Sequence, residues 1–227
     1  MTASQSHSRL RTPQHGRVNL LRRLLPVFVC LALLIFAGCG SDEQRTTAGL
    51  GSGQLKWSSL PVSLRADSAL HDGGPADEDL LAAVAFWETK AGKNLFTIGT
   101  WPNGQAPYTG ASSDPDDLLD NAIFFLSPWP FDGRIAGKTT IHSTNSAIQK
   151  AVIFLNSDTA LCAGNCAESG DDLRTSRRRL LAHEMGHFLG FAHVNDRENI
   201  MYPEIVPGGS LDDRSVDLPL LQKLTSP

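Results

Sequence analysis

Two histidines four residues apart, His183 and His187, enclose a glutamate in the run His183-Glu184-Met185-Gly186-His187. On a helix, side chains at i and i+4 project from one face, one turn apart. Two imidazole nitrogens placed this way can reach a single metal ion at about 2.0–2.1 Å. Glu184 is offset around the helix from His183 and suits holding a water rather than binding the ion. The chain continues Phe188-Leu189-Gly190-Phe191-Ala192-His193. Gly190 can adopt φ > 0, end the helix and swing the chain sharply, bringing His193 back as a third ligand. Three nitrogens leave a fourth position open for water, which separates a catalytic zinc site from a closed structural one. These residues at this spacing arise by chance in roughly 2 of 100,000 chains of this composition, so ordinary core or surface histidines explain them poorly.

The run HEMGHFLGFAH matches the metzincin signature H-E-x-x-H-x-x-G-x-x-H. Downstream, Asn199-Ile200-Met201-Tyr202-Pro203 resembles the Met-turn of that family, a tight turn whose Met lies beneath the metal site. The gap from His193 to Met201 and the Met-Tyr-Pro wording resemble the matrixins and their bacterial relatives. The resemblance covers Leu180–Pro203, with Val194 standing where matrixins usually have Ser. It implies an α+β, zincin/metzincin-like fold: a twisted, mostly parallel sheet with an antiparallel edge strand, an active-site helix, a Met-turn and a C-terminal helix. It also implies one catalytic Zn2+ held by His183, His187 and His193, with Glu184 as general base and Met201 in a structural role. Substrate backbone in such proteins pairs with the edge strand, here Arg134–Ile141, and Pro203–Gly209 would wall the pocket past the scissile bond. Tyr202 is read as packing or pocket wall. A second zinc is not expected, because His71 and His142 are the only other histidines after the leader. Calcium has no support beyond the acids Asp114, Asp116, Asp117 and Asp171-Asp172, which turns and a helix cap explain.

The elements that must position these residues are partly visible in the apolar pattern. Trp57–Arg65 alternates as a half-buried strand does. Asp77–Ala91 reads as a helix, with Leu80, Val84, Trp87 and Ala91 on one face, acids in its first turn and Gly92 as its stop. Leu95–Ile98, Ala122–Leu126 and Ala151–Leu155 are of strand length, and Arg134–Ser143 mixes apolar and polar residues like an edge strand. Trp101–Pro115 reads as loop. Asp171–Phe191 is predicted as one long helix opened by Asp171-Asp172, with Arg177-Arg178-Arg179 as a solvated face. Leu211–Leu224 is predicted as a final helix whose middle Pro219 disturbs. Strands with a helix between them, then helices, indicate an α+β domain built on a single sheet.

The chain of 227 residues carries 20 Lys+Arg against 24 Asp+Glu, a net charge of −4 that excludes a strongly basic nucleic-acid binder. Residues 1–38 hold Arg9, Arg11, Arg17, Arg22 and Arg23 and no acid, so the rest is more acidic than the mean. Leu24–Ala37 is uncharged, too short for a comfortable transmembrane helix and suited to a signal-peptide core. Phe36-Ala37-Gly38-Cys39 resembles the bacterial lipobox, which implies lipidation of Cys39 and attachment to a membrane. Gly40 rather than Asp after that Cys implies the outer membrane or cell surface of a bacterium. The division expected is therefore 1–38 signal peptide, 39–54 flexible tether and 55–227 catalytic domain, the tether being polar and Gly-rich. Cys162 and Cys166, with three residues between them, allow a local disulfide in an oxidising compartment, two free thiols being the alternative.

Two classes of function compete on these residues. One is a zinc endopeptidase acting as a monomer on a protein or peptide substrate. The other is a non-catalytic surface module that keeps the fold for adhesion. Such modules typically lose the Glu or a His, and this chain keeps Glu184 and all three His. A metal-dependent hydrolase of non-peptide amides is a third option.

Overall fold

Alternating burial in Val62–Ala66 (β2) sets the pattern of the sheet: Val62, Leu64 and Ala66 point inward while Ser63 is exposed. A preceding two-residue strand, Lys56–Trp57 (β1), is separate from β2. The single strand expected over Trp57–Arg65 is thus two short ones. Pro61 falls between them and has no N–H to give a ladder. The computed structural model describes residues 55–101, 121–164, 166, 175–205 and 209–226. The leader 1–38, Cys39, the tether and the acids Asp114, Asp116, Asp117, Asp171 and Asp172 lie outside them, as does most of the loop after Trp101.

Phe96–Thr100 (β3), Ala122–Leu126 (β4), Gly137–Thr144 (β5) and Ala147–Asn156 (β6) complete a mixed sheet. Its order is β3-β2-β4-β6, all parallel, with β1 beside the start of β6. β5 closes the other side of β6 as an antiparallel strand, in register from Gly137↔Leu155 to Thr144↔Ala147 with an irregularity between His142 and Ser143. Among the described residues no strand lies along the outer edge of β5.

Helix α1 spans Pro75–Ala91, with Pro75 in its first turn, and ends where the Gly92 N–H donates to the Glu88 carbonyl. Two-residue strands Leu161–Cys162 (β7) and Thr175–Ser176 (β8) pair in parallel and lead directly into Arg177–Leu189 (α2). The helix expected from Asp171 therefore begins at Arg177. Thr175 and Ser176 are committed to β8, and the Ser176 side chain caps the helix by accepting from the Arg179 N–H.

The last helix, Leu218–Thr225 (α3), is likewise shorter than expected. The N–H and carbonyl of Ser215 bond Glu198 and Ile200, holding that segment extended. Pro219 sits in the first turn, where its missing N–H costs nothing, and the Asp217 carboxylate caps the Leu220 N–H at 2.9 Å. No helix among the described residues is long and apolar enough to cross a membrane.

Strand alternation divides the apolar residues between two cores. Ile123, Ile153 and Leu155 join Leu64, Leu80, Trp87, Leu180, Phe188 and Phe191 in the larger one, between sheet and helices. Ala122, Phe124, Val152 and Phe154 face the other way and form a smaller cluster with Trp101. Two tryptophans fix the height and rotation of α2 over the sheet. Trp57 donates its indole N–H to the Phe188 carbonyl and Trp87 donates to the Ala182 carbonyl, each at 2.7 Å. Both rings are buried, so each polar edge needs such a partner.

Candidate metal centre

His183 and His187 lie on α2 and are almost fully buried, the first at 0% exposure and the second at 8%. After Leu189 the chain turns at Gly190, whose φ of +103° is the left-handed region that glycine tolerates best. A Cβ there would also overlap the Leu55 carbonyl. The Phe191 N–H donates back to the Gly186 carbonyl at 3.0 Å, and the chain then runs to His193.

Two carbonyls decide which imidazole nitrogen faces inward. The Ile200 carbonyl lies 2.7 Å from His183 Nδ1, and the Phe191 carbonyl lies 2.8 Å from His187 Nδ1. A carbonyl only accepts, so each Nδ1 carries the proton and each Nε2 presents a lone pair. His193 Nε2 stands 3.2 Å from His183 Nε2 and 3.0 Å from His187 Nε2. The three ligand atoms lie within 4.8 Å of one another. Two nitrogens bound to one tetrahedral zinc stand about 3.3 Å apart, so the donor set fits such an ion. A single N–H on His193 could serve one facing lone pair at a time, whereas a cation serves all three nitrogens. Burial first, and the neighbouring His187 next, hold the pKa of His183 well below its ordinary value of 6.5, keeping that ring neutral as a ligand must be.

Glu184 is fully buried, and its carboxylate meets β5. The Thr139 hydroxyl donates to Glu184 Oε2 at 2.7 Å and lies 3.1 Å from the Glu184 backbone oxygen. Met201 belongs to a tight turn. The Tyr202 N–H donates to the Asn199 carbonyl at 3.1 Å, and the Met201 N–H donates to the Asn199 side-chain oxygen at 2.9 Å. The Met201 sulfur lies directly under α2, where a Cβ on Gly186 would overlap it. The same turn carries the Ile200 carbonyl that orients His183. Its Met201 carbonyl accepts from the Val194 N–H at 3.0 Å, tying the His193 segment in place. Tyr202 is half-buried, with the Arg197 guanidinium 5.7 Å over its ring. Of Pro203–Gly209, residues 206–208 lie outside the described ones.

Residues 124–220 match the family model of the matrixins. The stretch runs from β4 into α3 and takes in the His cluster, Glu184 and the Met201 turn. No curated protein matches the chain. The matrixin match and the three converging imidazoles together point to a zinc metallopeptidase.

Other residues singled out from the sequence fall elsewhere. Cys162 and Cys166 are joined in a disulfide with Cα atoms 6.0 Å apart. Inside that loop the Gly164 N–H donates to Asp79 and the Gly164 carbonyl accepts from Ser176, the cap of α2. The three consecutive arginines are not a solvated face. Arg177 and Arg178 both bond the fully buried Asp79 carboxylate, at 2.9 and 3.1 Å, and Arg179 is 4% exposed. The α1–α2 contact draws them in, because a carboxylate buried on α1 needs cationic partners. His71 pairs with Asp77, His142 is a half-buried member of β5, and neither belongs to the His cluster. Thr139, Asp79 and the orienting carbonyls have no signature in the sequence. Their roles arise only once β5 and α1 meet α2.

Proposed function

We propose that this chain is a zinc-dependent endopeptidase whose ligands are His183, His187 and His193 and whose general base is Glu184. The convergence of three imidazole Nε2 atoms, two with their tautomer fixed by backbone carbonyls, carries the reading. When bound there, zinc would supply a Lewis acid that lowers the pKa of a water to about 7 and polarises the scissile carbonyl. Glu184, adjacent to His183 and backed by β5, accepts the proton of the attacking water and returns it to the leaving amine. The outer edge of β5 offers backbone groups to an extended substrate, as in strand addition. Gly137 and Thr139 of this strand meet Glu184, which supports a substrate strand lying near the base in this reading. Met201 supports α2 from below and touches no substrate. The protein is exported, lipid-anchored through Cys39 and monomeric in this reading. The uncharged core Leu24–Ala37 and the lipobox-like Phe36–Cys39 support the anchor.

The test is cleavage of a generic unfolded protein by the zinc-loaded chain, with and without chelator, beside Glu184→Gln. Cleavage that chelator abolishes is expected. The variant should lose activity by about 10³-fold or more while retaining zinc. A zinc-loaded chain that cleaves no member of a broad protein and peptide library would instead support a binding module.

A further inference from the structure

Glu184 must present one carboxylate oxygen to a water, and a glutamate side chain has three rotatable bonds with which to miss. Strand β5 removes that freedom. Successive strand residues alternate faces, so Gly137 and Thr139 point to the same side, toward α2. The Thr139 hydroxyl has a single proton and two acceptors within reach. The charged oxygen Oε2 at 2.7 Å is the stronger and nearer one, ahead of the Glu184 backbone oxygen at 3.1 Å. Gly137 borders the other oxygen. A Cβ at residue 137 would stand 2.8 Å from Glu184 Oε1 and 3.0 Å from Leu180 Cδ1. One oxygen is therefore held by a donor, and the other packs against the strand in the room that the missing side chain of Gly137 leaves.

We infer that Thr139 is a positioning residue: it holds Glu184 by Oε2 and so fixes the carboxylate in the orientation from which it takes and returns the proton. This rests on the endopeptidase reading, since it assigns Glu184 the work of a base. Because Thr139 belongs to the strand whose outer edge would bind substrate, β5 serves both tasks. It aligns the peptide with one edge and the base with one face.

Thr139→Val keeps the shape and the strand preference of the side chain while removing the donor. Loss of one charge-assisted hydrogen bond predicts a fall in kcat of about 10- to 100-fold, with KM changed less than about twofold and zinc content unchanged. Thr139→Ser restores the hydroxyl and should recover most of the lost kcat. A crystal structure of Thr139→Val should show the Glu184 carboxylate displaced, a readout that needs no activity. A kcat within twofold of the parent with the carboxylate unmoved overturns the inference, as does a loss that Ser does not recover. If the parent itself cleaves nothing, or matches Glu184→Gln, the endopeptidase reading fails instead. The position of Glu184 in the Val variant then still decides whether Thr139 holds it.

Discussion

At the scale of single residues, the His cluster is oriented by backbone carbonyls. The Ile200 and Phe191 carbonyls accept the Nδ1–H of His183 and His187, leaving each Nε2 turned to the cluster. Orientation is thereby established before any ion arrives, which lowers the entropy lost on binding. The cost falls on the metal-free protein. Burial holds the pKa of His183 well below 6.5 in the folded state, while the unfolded chain takes up that proton near pH 6.5. The unfolded state then binds more protons at low pH. Stability from this residue is complete above about pH 6.5 and is lost progressively as pH falls toward the folded-state pKa. Urea unfolding of the metal-free chain between pH 7 and pH 5 should show this as a slope approaching 1.4 kcal/mol per pH unit, about one proton. His183→Asn should remove that part of the slope, and an unchanged slope in the variant would contradict the assignment.

At the scale of elements, α2 is held by five residues from outside it. Trp57 and Trp87 bond its carbonyls, Met201 lies under Gly186, Thr139 meets Glu184, and Asp79 on α1 grips its N-terminal arginines. Asp79 reads from sequence as one more acid favoured by the first turn of a helix. Its carboxylate instead bonds Arg177, Arg178 and the Gly164 N–H within the disulfide loop. Asp79→Asn removes the buried negative charge that Arg177 and Arg178 share. It should cost about 3 kcal/mol of unfolding free energy in a denaturant titration, and a change below about 0.5 kcal/mol would remove Asp79 from its place as a hub. This marks the limit of what the chain order discloses. Ala122–Leu126 is legible as a strand to the residue, because a short apolar run buried on both faces has few other uses. The paired histidines are legible because helix geometry alone makes them neighbours. The start of α2 is not, since Ser176 becomes its cap only after β8 has paired with β7. Nor is Thr139, whose importance depends on a strand and a helix separated by 45 positions coming into contact.

At the scale of the whole molecule, the sheet and helices gather Glu184 backed by β5, the three histidines of α2 and the segment that follows it, and the Met201 turn. The parallel strands β3-β2-β4-β6 form the body, and the antiparallel β5 forms an edge that meets Glu184 of α2. The three-nitrogen site exists only when α2, the Gly190 turn and the Met201 turn are all in place. On the proposed reading, metal binding adds directly to folding stability. Elemental analysis of the purified full-length chain tests this account most directly. About one zinc per chain is expected, removable by chelator and regained on titration. A folded chain that contains no transition metal and takes none up would contradict it.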